Sequence, residues 1–149
     1  NINVPIADLN NSQIPISYVP FRNANILSIA TSWAEVIKAN YIYVGAVEED
    51  SSGYPDCRRQ FFDTFEELIN QGTRPNTKIK ILTPLISLSK KEIIKKGFKI
   101  NAPLNLTWSC YEKNNYPCQK CDSCALRERG FKEAEYKDPL FKWNTPNLE

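Results

Sequence analysis

The stretch YIYVGAVEEDSSGYPDCRRQFFDTFEELINQGTRPNTKIKIL, residues 41–82, predicts a helix between two short apolar strands. Residues 41–47 are apolar, aromatic and β-branched, which is typical of a buried strand. Residues 60–71 have the apolar spacing of an amphipathic helix that stops at Gly72, and residues 78–82 form the second strand. This alternation predicts a parallel sheet in an α/β protein.

A further helix is predicted before this unit, over residues 23–40. Its apolar residues fall on one helical face: Ile26, Ile29, Ala30, Trp33, Ala34 and Ile37. We expect four aromatic residues of the two helices to belong to the core: Trp33, Phe61, Phe62 and Phe65. Asn23 can cap the start of the first helix, and Asn40 can supply its left-handed stop.

Two helices are predicted after the second strand. Ser89 followed by Glu92 is a capping box that opens the first, and Gly97 is expected to close it. The other covers residues 122–136. Two strands are too few for a stable sheet, so we expect the missing strands to come from a preceding segment or from another chain.

Composition excludes several classes of function. The chain has 149 residues, a formal net charge of +2, no His and no Met. The absence of His excludes His-dependent nucleophilic catalysis and His-containing zinc sites in this chain. No apolar run approaches the roughly 20 residues that cross a bilayer, and residues 1–15 do not resemble a signal peptide. We expect a cytoplasmic protein, with residues 1–18 as a loop or ordered arm preceded by further sequence.

The strongest motif is the cysteine cluster CYEKNNYPCQKCDSC. Cys110, Cys118, Cys121 and Cys124 offer four thiolates within fifteen positions, the donor set of a tetrahedral zinc site. An iron–sulfur centre, a redox pair and unrelated structural thiols are the alternatives. A site with four protein ligands has no open position for a substrate, so we expect one structural zinc ion.

The second motif is SGYPDCR, residues 52–58, which follows the first strand and the acidic residues 48–50. Ligands of open α/β sheets bind at the carboxyl ends of strands, which makes this loop a candidate site. A solvated turn is the alternative, since Gly-Tyr-Pro-Asp is favourable turn chemistry. Cys57 has no His to activate it, so we expect its thiol to line a pocket or to be packed against the loop.

The third motif is YVPFRN, residues 18–23, directly before the first helix. Arg22 and the amides of the helix N-terminus could together hold an anion. An Arg in an exposed helix cap is the alternative, and physical reasoning alone favours it.

Four motif regions together resemble the 7-cyano-7-deazaguanine synthase (QueC) family of the adenine nucleotide alpha hydrolase/PP-loop superfamily. The motifs are YVPFRN (18–23), GAVEEDSSGYPDCR (45–58), LISLSKKEI (85–93), and TWSCY (107–111) with PCQKCDSC (117–124) and LRERGF (126–131). The family's enzymes begin with a strand and an SGGxDS loop that grips ATP, which this sequence lacks. The resemblance covers about the C-terminal two thirds of the family pattern.

The resemblance implies an ATP-dependent C–N ligase of queuosine-precursor biosynthesis. Such an enzyme converts 7-carboxy-7-deazaguanine and ammonia into 7-cyano-7-deazaguanine, with ATP as cosubstrate. The implied partners are the deazapurine substrate, ATP and ammonia, with a homodimer expected and neither a membrane nor direct nucleic-acid contact. Because the main ATP loop is absent, this chain alone is expected to be inactive.

Carried over by position, the resemblance assigns roles to individual residues. Cys110, Cys118, Cys121 and Cys124 match the family's zinc ligands. The residues expected beside the deazapurine are Arg22, Asn23, Glu49, Asp50, Tyr54, Asp56 and Arg58. A guanine-like edge presents paired N–H donors, so Asp50 or Asp56 is the expected contact. Lys90, at the start of a capped helix, is a weaker candidate for a phosphate contact, and no catalytic residue is assigned.

The predicted architecture is a Rossmann-like parallel sheet flanked by helices, incomplete in this chain, with a C-terminal zinc-binding loop and helix. We expect the α/β portion over residues 1–107, the zinc-binding subdomain over 108–137 and a surface or frayed tail over 138–149. Two alternatives remain open: a zinc-stabilised binding module without catalysis, and another PP-loop enzyme that modifies tRNA.

Overall fold

The computed structural model describes residues 3–8, 14, 17–48 and 54–142. Within these residues the regular elements are α1 (Arg22–Val36), β1 (Tyr41–Tyr43), α2 (Arg59–Gly72), β2 (Lys80–Leu82), α3 (Lys90–Lys99) and α4 (Asp122–Ala134). Short 3₁₀ helices occur at Pro55–Cys57, Leu104–Leu106 and Pro139–Lys142. None of the described helices has the length and apolar character that crossing a membrane requires.

The chain divides into two compact units. Gln13–Ser87 form the first, which we call the sheet unit, and Asn1–Ser12 with Leu88–Glu149 form the second, the cysteine unit. This division into compact units does not test the domain boundaries that were predicted at residues 107 and 137, so those boundaries remain a prediction.

In the sheet unit, β1 and β2 pair in parallel with Ile42 opposite Ile81. The Lys80 N–H donates to the Asn40 carbonyl at 2.9 Å, and the Val44 N–H donates to the Leu82 carbonyl at 2.9 Å. The prediction of an α/β protein with parallel strands is therefore confirmed. Both strands are only three residues long, and a larger Rossmann-like sheet stays a prediction.

The core of the sheet unit lies where α1 and α2 pack on one face of the sheet. Its buried residues are Ala24, Leu27, Ala34, Phe62, Phe65, Ile69, Ile79, Ile81 and Ile86. Phe62 is 1% exposed, and its ring meets the partly buried Phe61 ring edge to face at 5.2 Å between centroids. The predicted phenylalanine stripe is confirmed as core.

The predicted core face of α1 is correct at Ala34, which is buried, but wrong at its large side chains. Trp33 is 67% exposed and Ile29 is 74% exposed, and Ile26 and Ile37 are also exposed. The other residues of α1 that are buried are Ala24 and Leu27, which were not predicted. α1 is apolar on two faces, and a 3.6-residue period cannot rank one apolar face above another.

The predicted ends of α1 are also wrong. Phe21, at φ 58°, is the N-cap, and Asn23 lies one residue inside the helix. At the other end, the left-handed residue is Lys38, at φ 57°, rather than Asn40. Asn23 does not cap the helix with its side chain but makes a tertiary contact, described below. Spacing along the sequence does not reveal such a contact.

In the cysteine unit, α3 packs against α4 around Ile94, Phe131 and Ala134. The capping box is confirmed: the Ser89 hydroxyl accepts the Glu92 N–H, and Glu92 Oε2 accepts the Ser89 N–H at 2.8 Å. Helix α3 does not end at the predicted glycine, Gly97. It continues to Lys99, and Gly97 lies within the helix, where an added Cβ would be 3.2 Å from Leu104 Cδ2.

The start of the expected tail is fixed in place, which corrects the prediction of a surface or frayed segment there. Leu140 is 7% exposed, and its N–H donates to Asp138 Oδ1 at 3.0 Å. Asp138 also receives a bidentate contact from Arg127, with Nη2 2.8 Å from Oδ1. Residues 143–149 lie outside the described part of the chain.

Candidate metal centre and candidate substrate loop

The four predicted cysteine ligands converge on one point. The Sγ atoms of Cys110, Cys118, Cys121 and Cys124 all lie within 4.8 Å of one another, and no disulfide joins them. The Cys118 and Cys124 sulfurs are 3.9 Å apart. Sulfurs at 2.3 Å from a tetrahedral metal are separated by roughly 3.8 Å, so the arrangement fits a four-coordinate ion.

Backbone amides in the loop point at two of these sulfurs. Cys110 Sγ accepts the N–H groups of Lys113 and Cys118, each at 3.4 Å. Cys118 Sγ accepts the N–H groups of Lys120 and Cys121, also at 3.4 Å each. Such donors stabilise negative charge on sulfur. The loop is therefore shaped to hold thiolates.

Helix α4 supplies the other two ligands. Cys121 is its N-cap, and Cys124 lies in its first turn, where the helix dipole favours negative charge. Gln119 adopts φ 59° between Cys118 and Cys121, which turns the chain so that both thiols face the same point. The second C-x-x-C step is thus the start of a helix.

The electrostatic environments of the thiols differ. Burial raises the pKa of Cys110, but the N–H groups of Cys118, Lys113 and Glu112 outweigh it, and the pKa falls from 9.0 to about 6. Burial raises the pKa of Cys124 to about 12. Four thiolates cannot be held together in a buried cluster without positive charge, which a divalent cation would supply.

An N-terminal arm lies along the cysteine loop. Val4 packs against the cysteine cluster, and the Ala7 N–H donates to the Lys120 carbonyl at 2.8 Å. The Asp8 N–H donates to Asp122 Oδ1 at 3.2 Å, at the start of α4. For residues 3–8, the ordered arm among the predicted alternatives is confirmed, although the sequence gave no indication of what it would contact.

Sequence reasoning missed Arg127, which anchors the segment that leads into the cysteine loop. Its guanidinium contacts the Asp138 carboxylate, the Leu104 and Thr107 carbonyls, and the Thr107 and Ser109 hydroxyls. The Arg127 and Asp138 side chains are 11% and 7% exposed. Two oppositely charged residues eleven positions apart carry no recognisable motif, so only the fold reveals this pair.

In the candidate substrate loop, Asp56 is 3% exposed and meets the N-terminus of α1. Its Oδ2 accepts the Asn23 N–H at 2.9 Å. The Asn23 side-chain amide donates to the Asp56 carbonyl at 2.8 Å and to Cys57 Sγ at 3.3 Å. The structure therefore brings Asn23, Asp56 and Cys57 together, and the Cys57 thiol is buried in this contact, which agrees with the packed one of the two predicted alternatives.

The other predicted loop residues are more accessible. The Tyr54 hydroxyl lies 2.8 Å from Ser17 Oγ, and its ring packs 5.5 Å from that of Tyr18. Arg58 is exposed at the start of α2, and Arg22 is half-buried as the first residue of α1. Within the described residues, no hydrogen bond or ion pair engages either guanidinium. Glu49 and Asp50 were also predicted as contacts, and they lie outside the described residues.

Lys90 lies at the first position of α3, and its stem covers Gly130 of α4. A Cβ at Gly130 would lie 2.3 Å from Lys90 Cγ and 3.0 Å from Ile94 Cδ1, so glycine is required for this close helix contact. The stem of Lys90 thus has a packing role, and its predicted phosphate contact stays a prediction.

Comparison with known proteins supplies a family for this arrangement. A family model described as "Queuosine biosynthesis protein QueC" matches residues 1–135. The chain is 56% identical over 141 residues to the 7-cyano-7-deazaguanine synthase of Chlorobaculum tepidum, which covers 95% of this chain and 62% of that protein.

Two other relatives give the same picture. The synthase of Chlorobaculum parvum is 58% identical over 134 residues, which covers 90% of this chain and 59% of that protein. The synthase of Chloroherpeton thalassium is 57% identical over 137 residues, which covers 92% of this chain and 61% of that protein. The chain thus spans about three fifths of the length of the curated relatives it matches.

Proposed function

The chain belongs to the QueC family, and we propose that it is the zinc-bearing, substrate-side portion of an ATP-dependent 7-cyano-7-deazaguanine synthase. The observation that carries the proposal is the match of residues 1–135 to the family model. The four convergent cysteine sulfurs, which the family resemblance had assigned to zinc, support it from the geometry.

The proposed reaction needs ATP because a carboxylate is a poor electrophile. The carboxylate of 7-carboxy-7-deazaguanine attacks the α-phosphorus of ATP, and pyrophosphate leaves. Ammonia then displaces AMP from the acyl adenylate and gives an amide. A second ATP activates the amide oxygen in the same way, and elimination of AMP with loss of two protons leaves the nitrile. The 149 residues would contribute substrate contacts and stability to this reaction.

Zinc is the metal we propose for the cysteine site. All four donors are thiolates, three of the cysteines are buried, and the sulfur spacing suits bonds of about 2.3 Å. With four protein ligands the ion would have no open position, so it would hold the loop and the start of α4 together. Metal analysis should find one zinc per chain and no iron.

We propose different roles for the charged residues in and near the substrate loop. Arg22 and Arg58, which are not engaged within the described residues, are suited to the substrate carboxylate or to phosphate. Asp56 has one carboxylate oxygen committed to the N-terminus of α1, which supports a role in holding the loop. Asp50 is then the better candidate for the paired N–H donors of a guanine-like edge.

A chimera tests the proposed function. This chain replaces the matched segment of the Chlorobaculum tepidum synthase, and the purified chimera is given 7-carboxy-7-deazaguanine, ammonia and ATP. We expect 7-cyano-7-deazaguanine and AMP to form. Arg58→Ala should lower the rate at least tenfold, because a guanidinium proposed to bind the substrate carboxylate or phosphate is lost. Zinc content and Tm should stay unchanged, because Arg58 is exposed.

Lys95→Ala is the control, since it removes an exposed positive charge from α3 and should leave the rate unchanged. A chimera that is folded and loaded with zinc, yet releases neither pyrophosphate nor product, would overturn the proposal. That outcome would favour a zinc-stabilised binding module instead.

A further inference from the structure

Asn23 uses its hydrogen-bond donors within the protein. Its backbone N–H donates to Asp56 Oδ2 at 2.9 Å, and its side-chain amide donates to the Asp56 carbonyl at 2.8 Å and to Cys57 Sγ at 3.3 Å. A carbonyl oxygen can only accept, so the Asn23 side chain must face Asp56 with its nitrogen, which carries two hydrogens. The side chain then keeps one carbonyl oxygen for a ligand. We call Asn23, Asp56 and Cys57 the clamp.

The clamp attaches a short turn to the start of α1. Asp56 is 3% exposed and Cys57 is 8% exposed, and both belong to the 3₁₀ helix Pro55–Cys57. Within that turn, the Cys57 N–H donates to the Tyr54 carbonyl at 3.1 Å. The positive end of the α1 dipole favours the buried carboxylate beside it. The Asn23 side chain therefore joins two buried residues of the turn to α1.

Arg58 follows the turn directly, and its backbone is held on both sides. On one side lies Cys57 of the clamp. On the other, the Arg58 carbonyl accepts the Phe61 N–H at 3.0 Å and the Phe62 N–H at 3.4 Å, and Phe62 is 1% exposed in the core. The Arg58 side chain is exposed, and among the described residues nothing binds its guanidinium. A free guanidinium on a backbone held in this way is suited to a ligand.

The backbone just before the clamp is strained. Phe21, two residues before Asn23, has φ 58°, in the left-handed region that a bulky side chain rarely adopts. Its N–H donates to the Tyr18 hydroxyl at 3.1 Å, and its ring lies edge to face with that of Phe61, with centroids 6.4 Å apart. Such strain persists only where surrounding contacts hold it, and it is frequent where ligands bind. The strained residue supports a functional role for the clamp.

We propose that Asn23 is a positioning residue that acts through Arg58, an inference that rests on the proposed function. By attaching the turn to α1, Asn23 holds the Arg58 guanidinium where it meets an oxyanion, either the substrate carboxylate or a phosphate. The family resemblance had placed Asn23 beside the deazapurine as a contact. Its donors are already used in the clamp, so they have no hydrogen left for the N–H acceptors of a ligand.

The first experiment is a double-mutant cycle in the chimera. Arg58→Ala should raise one KM: that for 7-carboxy-7-deazaguanine if Arg58 binds the carboxylate, or that for ATP if it binds phosphate. Asn23→Ala should raise the same KM at least fivefold. The variant that carries both substitutions should match Arg58→Ala within twofold, because a guanidinium that is already absent cannot be displaced.

Asn25→Ala is the matched control for this cycle. Asn25 is an exposed asparagine two positions further along α1, and its loss should leave both KM values unchanged. If the effects of Asn23→Ala and Arg58→Ala multiply in the double variant, Asn23 contacts the substrate independently and the inference is overturned. A loss of kcat with both KM values unchanged would also overturn it, because a purely structural defect has that effect.

A milder pair of variants tests the same contact if Asn23→Ala does not fold. Cys57→Ala removes one acceptor of the Asn23 amide and should raise the same KM by a smaller factor. Cys57→Ser keeps an acceptor and should restore the KM of the parent chimera. Equal KM values for Cys57→Ala and the parent would contradict the inference.

The second experiment measures amide hydrogen exchange in the zinc-loaded 149-residue chain. The Cys57 amide should exchange at least tenfold faster in Asn23→Ala than in the parent chain or in Asn25→Ala, because the turn is released from α1. The Phe62 amide in α2 should exchange at an unchanged rate. Unchanged exchange at Cys57, or equal acceleration at Phe62, would overturn the inference. No catalysis is measured, so this outcome is distinct from failure of the proposed function.

Discussion

The cysteine loop and the two-stranded sheet differ in how far apart along the sequence their parts lie. The loop takes its four sulfurs from Cys110 to Cys124, and backbone amides from the same segment surround them. In the sheet unit, Tyr41 and Tyr43 of β1 are exposed, and α1 keeps Trp33 and Ile29 exposed. A site whose parts lie close in sequence closes on itself, whereas a parallel sheet depends on segments far away.

Removal of the proposed zinc ion should produce the largest loss of stability, and that loss should fall on the cysteine loop. Structural zinc in small domains contributes on the order of 10 kcal/mol of folding free energy. A chelator, or Cys121→Ser at a position 1% exposed, should therefore unfold residues 108–124 and the first turn of α4. Amide exchange would show the loss there, and a fully protected loop in metal-free protein would refute the structural role.

A substitution in the core of the sheet unit should give the next largest loss of stability. Phe62→Ala should cost about 3–5 kcal/mol, since Phe62 is 1% exposed and packed on the sheet. Leu68→Ala on the same helix is the control, and because Leu68 is 60% exposed it should cost about 0.5 kcal/mol or less. Denaturant unfolding measures both, and equal costs would mean that the α2 packing is misassigned.

Loss of Arg127, which anchors the segment that leads into the cysteine loop, should give the third largest loss of stability. Arg127→Ala leaves the Asp138 carboxylate buried without its partner and should cost about 3 kcal/mol. Glu133→Gln removes an exposed pair with Arg129, 3.8 Å long, and should cost below about 0.5 kcal/mol. If urea midpoints for the two variants coincide, Arg127 does not fix the segment that enters the loop.

The capping box of α3 should give the smallest effect. Ser89→Ala removes the acceptor for the Glu92 N–H and should cost about 1 kcal/mol. Thermal unfolding at neutral pH measures the change. Ser87→Ala, outside the box, is the matched control and should leave Tm unchanged.

The same box predicts a dependence on pH. The Ser89 N–H, and then its hydroxyl, hold the pKa of Glu92 below its ordinary value of 4.5. A depressed folded pKa stabilises the protein above pH 4.5, and this contribution is lost as the pH falls through the folded pKa. Glu92→Gln should therefore lower Tm at neutral pH and converge with the parent protein in acid. A difference that persists in acid would point to another cause.

Some local features were predicted well, although the helix stops at Asn40 and Gly97 were not, and features that need distant partners were missed. The capping box at Ser89 and the phenylalanines of α2 were correct because each depends on residues within a few positions. The predicted N-cap of α1 was wrong because Asp56, 33 residues away, binds the Asn23 N–H. Trp33 was misplaced because nothing in its own helix distinguishes an apolar face that meets the core from one that does not.

By itself, the sequence determined the parallel α/β alternation and the four cysteines that converge, because spacing along one chain fixes periodicity and brings near neighbours together, and the resemblance of its motifs indicated the family. Only the tertiary structure decided which face of α1 is buried, that Arg127 binds Asp138, and that the Glu66 carboxylate of α2 accepts the Ile81 N–H of β2. The two hydrogen-bonded pairs are 11 and 15 positions apart, and spacing along the chain does not specify such contacts. They are specified by the packing of the core and by the need of buried polar groups for hydrogen-bond partners.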